Sequence, residues 1–305
     1  MELPSTRQLQ AFLAIAETKN FSKAAEICGI SQPAVSQQIQ SLEASLNAKL
    51  LERDSHGVRL TDVGRQLQKA ASNFVGRLRQ AVEKIHAEAG FLPARVRLGV
   101  IPTIAPYVLP SFLPRMSDYY PEATVVVHEG FTRDLVARAN SGELDVLLVA
   151  REGDLGSLHF EEFGFEPFSL LVHKDHAAAA TLKSVEEEWL RDQQVLLLDD
   201  GHCLRDTTLD LCRDISSDEL GDFRASSLTT LVRLVALGHG VTILPQMALA
   251  DEVGPNLVTI PFSNPEIGRR LGLAWRKSTP FAEHWTELAK LLAQLLHTGF
   301  VIKKK

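Results

Sequence analysis

Between residues 67 and 85, six apolar side chains recur at spacings of 4, 3, 4, 3 and 4: Leu67, Ala71, Phe74, Leu78, Ala81 and Ile85. That is the a/d pattern of a helix that pairs along a seam. Thr61 stands where an N-cap belongs, and Gly90 and Pro93 close the far end. At about 1.5 Å per residue, a helix over 62–90 spans roughly 40 Å. The spacing predicts a rod that pairs with a copy of itself. The chain on its two sides has different textures, so the rod also divides it.

Before the rod, the first sixty residues read as short helices. Leu9, Phe12, Leu13 and Ala16 recur at helical spacing up to Asn20. Ser22 is the expected cap of a second helix carrying Lys23, Ala24, Ala25 and Ile27, which Gly29 stops. Ser31 caps a third, with Pro33 in its first turn, where a missing N–H costs nothing. Val35, Ile39 and Leu42 line one face of that helix, and Gln32, Ser36, Gln37 and Gln40 the other. Leu50–Leu51 and Val58–Leu60 flank a polar turn at Ser55-His56-Gly57, the pattern of a two-stranded wing. Two short helices, a glycine turn and a polar-faced third helix form a helix-turn-helix pattern. Gln pairs bidentately with adenine, and Ser hydroxyls reach bases or phosphates. A small all-α bundle would show the same periodicity.

Charge bears on this choice. The 305-residue chain carries 32 Lys and Arg against 38 Asp and Glu, net −6, where a nucleic-acid binder usually has a basic surplus. The sum is uneven: residues 1–60 are net 0, 61–92 net +2 and 93–305 net −8. The acidity lies in the C-terminal part, and Lys23, Arg53 and Arg59 remain available to phosphates.

From residue 94 on, short β-rich runs alternate with helical patterns. The runs are 96–101, 124–128, 144–150, 168–173, 195–198, 241–244 and 271–275. The helical patterns are 105–120, 131–142, 184–191, 227–237 and 280–298. Alternation of this kind predicts an α/β fold with largely parallel sheets. Thr103, Thr132 and Ser226-Ser227 each follow a strand and open a helix, where hydroxyls could line a cleft for a small anion; each alone is more often an ordinary cap.

The stretches Phe21-Ser22-Lys23-Ala24-Ala25, Ser31-Gln32-Pro33-Ala34-Val35-Ser36, Ile39-x-x-Leu42-Glu43, Leu50-Leu51-Glu52-Arg53 and Leu60-Thr61-x-x-Gly64 resemble the N-terminal domain of LysR-type transcriptional regulators. The resemblance implies a winged helix-turn-helix over 1–61, a linker helix over 62–92, and a periplasmic-binding-protein-like effector domain over 93–305. It implies DNA contacts from Lys23, from the third helix through Ser31, Gln32, Pro33, Ser36 and Gln37, and from Arg53 in the wing.

Three cysteines, at 28, 203 and 212, are too few for a disulfide scaffold or a cysteine-rich zinc module. No apolar run is long enough for a membrane span, and the N-terminus has no signal-peptide pattern, so a cytoplasmic protein with reduced thiols is expected. Cys28 reads as a small core residue. Cys203 lies between His202 and Arg205, cations expected to lower its pKa and favour the nucleophilic thiolate. A sulfenic acid formed there by peroxide can condense with a second thiol, and Cys212 is the candidate nearby in sequence. The segment between them reads as helical, which would hold the two thiols about 13.5 Å apart along its axis. A disulfide needs Cα atoms within about 6.8 Å, so the pair would be a switch rather than a staple.

The runs Leu98-Gly99-Val100-Ile101-Pro102-Thr103, Pro106-Tyr107-x-Leu109-Pro110, His128-Glu129, Gly201-His202-Cys203-Leu204-Arg205-Asp206, Cys212 and Arg224-Ala225-x-Ser227-Leu228 resemble the peroxide-sensing members of the same family. That resemblance implies a peroxidatic Cys203 and a resolving Cys212. It implies a hydrogen peroxide pocket from Thr103, Thr132, His202, Arg205 and Arg276, with Arg276 orienting the peroxide. It also implies double-stranded DNA, RNA polymerase and a homodimer or homotetramer as partners, and no cofactor or metal. The effector part would comprise subdomain I, 93–165 with 269–305, and subdomain II, 166–268. Asp206 either orients Arg205 or is surface charge. A LysR-type regulator of a small organic acid, a thiol peroxidase and a solute-binding protein are the alternatives.

Overall fold

The computed structural model describes residues 3–54, 57–88, 95–211 and 220–299. Ser55, His56, Gly90, Pro93 and Cys212 lie outside them, as do the side chain of Arg53 and the terminal lysines. The chain forms two compact units, residues 1–89 with 141–143, and 90–140 with 144–305.

The N-terminal unit begins with helices α1 (Thr6–Thr18), α2 (Phe21–Cys28) and α3 (Gln32–Leu46). Strands β1 (Leu51–Asp54) and β2 (Gly57–Leu60) follow, then helix α4 (Asp62–Glu88). Phe12, Ile15, Ala24, Val35, Ile39, Leu42 and Leu50 form its core, with Cys28 packed against it. Asn20, not Ser22, caps α2: its Oδ1 accepts the N–H groups of Ser22 at 2.8 Å and Lys23 at 3.1 Å. One carboxamide ahead of the first turn reaches two orphan donors, which leaves Ser22 inside the helix. Ser31 caps α3 as expected, through the Ala34 N–H.

β1 and β2 pair antiparallel, Leu51 opposite Leu60, as the wing. Glu43 ties α3 to that wing: its carboxylate accepts from Leu50 N at 2.9 Å, Leu51 N at 3.3 Å and Lys49 Nζ at 2.7 Å. Burial pushes the Glu43 carboxyl up, but these bonds outweigh burial and leave it below its ordinary value. Thr61 donates to the Lys49 carbonyl and accepts from Gly64 N, which draws α4 against Leu50. A Cβ on Gly64 would meet the Leu50 carbonyl oxygen at 2.2 Å, so only glycine fits there.

The apolar seam of α4 divides in two. Ala71, with Val75 beside it, is buried against Leu9 of α1. Phe74, Leu78 and Ile85 stand 54%, 47% and 65% exposed, a stripe on which another chain could pack.

The C-terminal unit contains β3 (Arg95–Val100), α5 (Ala105–Tyr119), β4 (Thr124–Glu129), α6 (Thr132–Asn140), β5 (Val146–Ala150) and β6 (His159–His173). Then come α7 (Ala177–Thr181), β7 (Val195–Leu198), α8 (Cys203–Leu211), β8 (Leu220–Ala225), α9 (Leu228–Ala236) and β9 (Thr242–Pro245). The last elements are α10 (Leu249–Glu252), β10 (Leu257–Pro261), β11 (Gly268–Trp275) and α11 (Ala282–Gly299). A sheet runs β10-β6-β11-β5-β3-β4, with β9 also on β6, and β7 pairs β8 separately.

The expected α/β class holds, but the sheets are mixed rather than largely parallel. β3 is parallel to β4 and β5, and β7 to β8; every pairing of β6 and β11 is antiparallel. The chain leaves along β6 and returns along β11, and an adjacent outgoing and returning strand must oppose. The segment expected to be helical over 184–191 is a 3-10 turn, Glu187–Asp192. Its first residues are held elsewhere, with Ser184 bonded to Ser263 and Val185 N to the Pro261 carbonyl. Among the described residues no helix is long and apolar enough to cross a membrane.

Candidate functional site

Cys203 is the first residue of α8 and is 8% exposed. The turn after β3 brings Thr103, the start of α6 brings Thr132, and β11 brings Arg269. Burial pushes the Cys203 thiol above its ordinary value; Arg269 and then Thr132 pull the other way, and Glu152 pushes with burial. The expected depression by His202 and Arg205 is therefore overturned. Neither sequence neighbour presents a cation to the sulfur. Arg205 turns to Asp200 at 3.1 Å, and Asp206 is exposed. His202 is buried, and burial lowers its pKa, so it is a neutral imidazole at neutral pH.

Arg269 is 1% exposed and fully engaged. Its Nε donates to Glu166 Oε2 at 2.7 Å, Nη1 to Thr103 Oγ1 at 2.7 Å, and Nη2 to the Thr103 carbonyl at 2.9 Å. Because Thr103 Oγ1 accepts from a cation, its own proton is polarised toward whatever it donates to.

Two polar atoms around the thiol lack a formed hydrogen bond. Thr132 Oγ1 and His202 Nε2 are both buried and unpartnered. The Thr132 hydroxyl favours the Cys203 thiolate without having closed on it. His202 bonds the Ser226 backbone, so the bare Nε2 of the neutral ring offers a lone pair. Buried polar atoms left open in this way fit a small polar molecule that both donates and accepts. The space is kept tight: Phe131 packs edge-on to the His202 ring at 4.8 Å, and a Cβ on Gly153 would meet Thr132 Cγ2 at 2.7 Å.

The structure thus gathers Cys203, Thr103, Thr132 and His202, with Arg205 turned toward Asp200 beside them. Arg276 is elsewhere. Its Nη1 donates to the carbonyls of Ala139 and Leu144, which fixes the loop between α6 and β5. The arginine at the thiol is Arg269, which the sequence reading missed, together with its partner Glu166. A signal was present: Arg269 shares the period-2 face of Leu271 and Leu273, where a charged residue is out of place. Ser227 is committed to capping α9, accepting Thr230 N at 3.2 Å. Among the described residues no group of three or more His, Cys, Asp or Glu could hold a metal.

In the N-terminal unit, Lys23, Ser31, Gln32, Pro33 and Gln37 are exposed and Ser36 is half-buried. Residues 32, 33, 36 and 37 lie together on α3, opposite the face that Val35, Ile39 and Leu42 bury. Arg53 lies on β1 of the wing.

Residues 6–65 match the family model for the bacterial regulatory helix-turn-helix protein, lysR family, and residues 89–296 match that for the LysR substrate binding domain. The chain belongs to the LysR family of transcriptional regulators. Among LysR-type relatives, it is 39% identical over 297 residues to the probable hydrogen peroxide-inducible genes activator of Streptomyces viridosporus, covering 96% of this chain and 95% of that one. It is 33% identical to the DNA-binding transcriptional dual regulator OxyR of Escherichia coli K12, covering 94% of each. Among solved LysR-type structures, it matches a Corynebacterium glutamicum OxyR cysteine-to-serine mutant with hydrogen peroxide bound, at TM-score 0.67, 34% identity, and 99% and 95% coverage. A full-length Pseudomonas aeruginosa OxyR cysteine-to-aspartate mutant matches at TM-score 0.73, 29% identity, and 97% and 96% coverage.

Proposed function

We propose that this LysR-type regulator senses hydrogen peroxide at Cys203 and reports it to DNA. The observation that carries the reading is a buried thiol faced by a fully engaged arginine and by two open buried polar atoms, Thr132 Oγ1 and His202 Nε2. Peroxide supplies what that space lacks, since each of its hydroxyls both donates and accepts. Thr103 and Thr132 bind it, and Arg269 stabilises the negative charge that develops on the departing oxygen.

The chemistry balances without a cofactor. The Cys203 sulfur attacks one peroxide oxygen and the O–O bond breaks. The leaving hydroxide takes up the thiol proton, for which His202 Nε2 is a way station, and departs as water. Cys203 is left as sulfenic acid. The Cys212 sulfur then displaces that hydroxyl, a second water leaves, and the 203–212 disulfide forms.

Helix α8 makes the second step a conformational event. Leu211 lies eight helical steps beyond Cys203, about 12 Å along the helix axis. Cys212 follows Leu211 by one Cα–Cα step of about 3.8 Å. With α8 intact, the two Cα atoms stay at least about 8 Å apart, beyond the roughly 6.8 Å limit of a disulfide. The helix must unwind, and it is poorly built to resist. Thr207 and Thr208 both bond the carbonyls four residues back, at 3.0 and 2.7 Å, an arrangement that weakens helices.

In this reading the modules are those given by the sequence, 1–61, 62–92 and 93–305, with subdomain II over 166–268. α4 pairs two chains along Phe74, Leu78 and Ile85, and two such dimers make a tetramer. α3 and Arg53 read the operator, RNA polymerase is the downstream partner, and the compartment is the reducing cytoplasm.

One experiment tests the whole reading. Full-length protein receives stoichiometric peroxide, the 203–212 linked peptide is sought by mass spectrometry, and DNA footprints of both forms are compared. A linked peptide with a changed footprint is expected. An unchanged footprint, or the same change in Cys212→Ser, sinks the disulfide mechanism. Release from DNA by a small carboxylate without peroxide would favour a metabolite regulator instead.

A further inference from the structure

Glu166 has no role in the chemistry above, yet it is one of the most deeply buried charges among the described residues, at 1% exposure. It lies directly opposite Arg269 in the β6–β11 register. Each carboxylate oxygen has its own partner: Oε2 takes Arg269 Nε at 2.7 Å, and Oε1 takes Met247 N at 2.7 Å. The carboxylate cannot rotate without losing one of them. An ion pair this buried gives up hydration that an apolar pair would not. Its geometry is therefore more than the core requires.

We propose that Glu166 is a positioning residue for the Cys203 thiol: it fixes the Arg269 fork on Thr103 and offsets part of the arginine's charge. The proposal rests on reading Cys203 as the reacting thiol. The groups around it are few. Glu166 is faced by Arg269 from β11 and by Met247 N from the turn after β9. Arg269 is faced by Glu166, Thr103 and, from α5, Tyr107. Cys203 is faced by Arg269, Thr132 and Glu152, with His202 beside it. A thiolate beside Arg269 alone would meet a full cation. Beside the Glu166–Arg269 pair it meets a dipole. That fits a thiol whose burial outweighs the pull of Arg269.

The test is a titration of the reduced full-length chain with Cys28 and Cys212 replaced by serine, which leaves Cys203 as the single thiol. Thiolate ultraviolet absorbance is read against pH. Glu166→Gln removes the offsetting charge and should lower the midpoint by about one pH unit. Glu166→Asp keeps the charge but draws it back, so its midpoint should fall between the parent and Glu166→Gln. The aspartate variant alone gives the direction if the glutamine variant does not fold. The double variant Glu166→Gln, Arg269→Gln holds neither charge and should return to the parent midpoint or above it. Midpoints at or above the parent in the single variants overturn the proposal. A double variant as low as Glu166→Gln overturns it too, because Glu166 would then not act through Arg269. The titration needs no peroxide. A wild-type chain that fails to oxidise would refute the sensing reading while leaving this result standing.

Discussion

Arg269 grips Thr103 with both ends of its fork, Nη1 on the hydroxyl at 2.7 Å and Nη2 on the carbonyl at 2.9 Å. The hydroxyl is thereby an acceptor with a polarised proton, and the turn after β3 is held against β11. Thr103→Val keeps the shape and removes the acceptor. A buried guanidinium donor is then unpaired, at a cost of about 1–3 kcal/mol. Oxidation of Cys203 by peroxide should slow while the DNA affinity of the reduced protein stays the same. Stopped-flow oxidation beside a mobility-shift titration checks both.

The two arginines can be separated by lysine substitution, which keeps the charge and removes the fork. Arg269→Lys cannot bond Glu166 and both Thr103 oxygens at once, so peroxide oxidation should fall at least about tenfold. Arg276→Lys should leave that rate unchanged. It leaves the carbonyls of Ala139 and Leu144 short of a donor, so the expected effect is a lower melting temperature. Equal slowing by both variants would return Arg276 to the site.

That contrast marks where the sequence stops being informative. The helix-turn-helix was legible because each motif residue answers a local demand. Ser31 caps α3, Glu43 fills the wing's donors, and Gly64 yields to the Leu50 carbonyl. The helix α4 was legible from spacing alone, but not that Ala71 would be spent on α1. The arginine at the thiol and its partner Glu166 were not legible, because they come from strands β11 and β6, distant in the chain from Cys203. Arg205 adjoins Cys203 in sequence but turns to Asp200, whereas Arg269 arrives across 66 residues. Strand alternation places Arg269 and Arg270 on opposite faces, Arg269 on that of Leu271 and Leu273, but only the register shows that Glu166 lies opposite it.

His202 gives the protein a pH dependence with a definite sign. Burial depresses its pKa below the ordinary 6.5. The unfolded chain then binds a proton that the folded chain refuses, so stability is present above about 6.5 and is lost as pH falls toward the folded value. Melting temperature should decline over that window, and His202→Asn should flatten the decline. A variant that melts with the wild-type pH profile would remove His202 as the cause.

Phe74, Leu78 and Ile85 leave an apolar stripe along one side of α4. Leu78→Asp places a charge in the proposed seam, at a cost of about 2 kcal/mol or more per dimer. Sedimentation should show the mass shifting toward monomer, and the footprint should shrink to a half-site. The helix itself should survive, because Leu78 is exposed and lies outside the buried cluster of Leu9, Ala71 and Val75.

In the proposed switch helix α8 must open before the disulfide closes, so its stability should tune the lifetime of the sulfenic acid. Thr207 is half-buried and bonds the Cys203 carbonyl at 3.0 Å. Thr207→Ala removes a β-branch and that back-bond, stabilising the helix by about 0.5 kcal/mol. The first step, attack on peroxide at the helix start, should keep its rate. The second should slow roughly twofold, since 1.36 kcal/mol is about tenfold. Trapping the sulfenic acid with a dimedone-type reagent at intervals after a peroxide pulse measures both steps. Slower closure with unchanged attack would show that unwinding limits the switch; unchanged closure would mean that the stability of α8 does not set its rate.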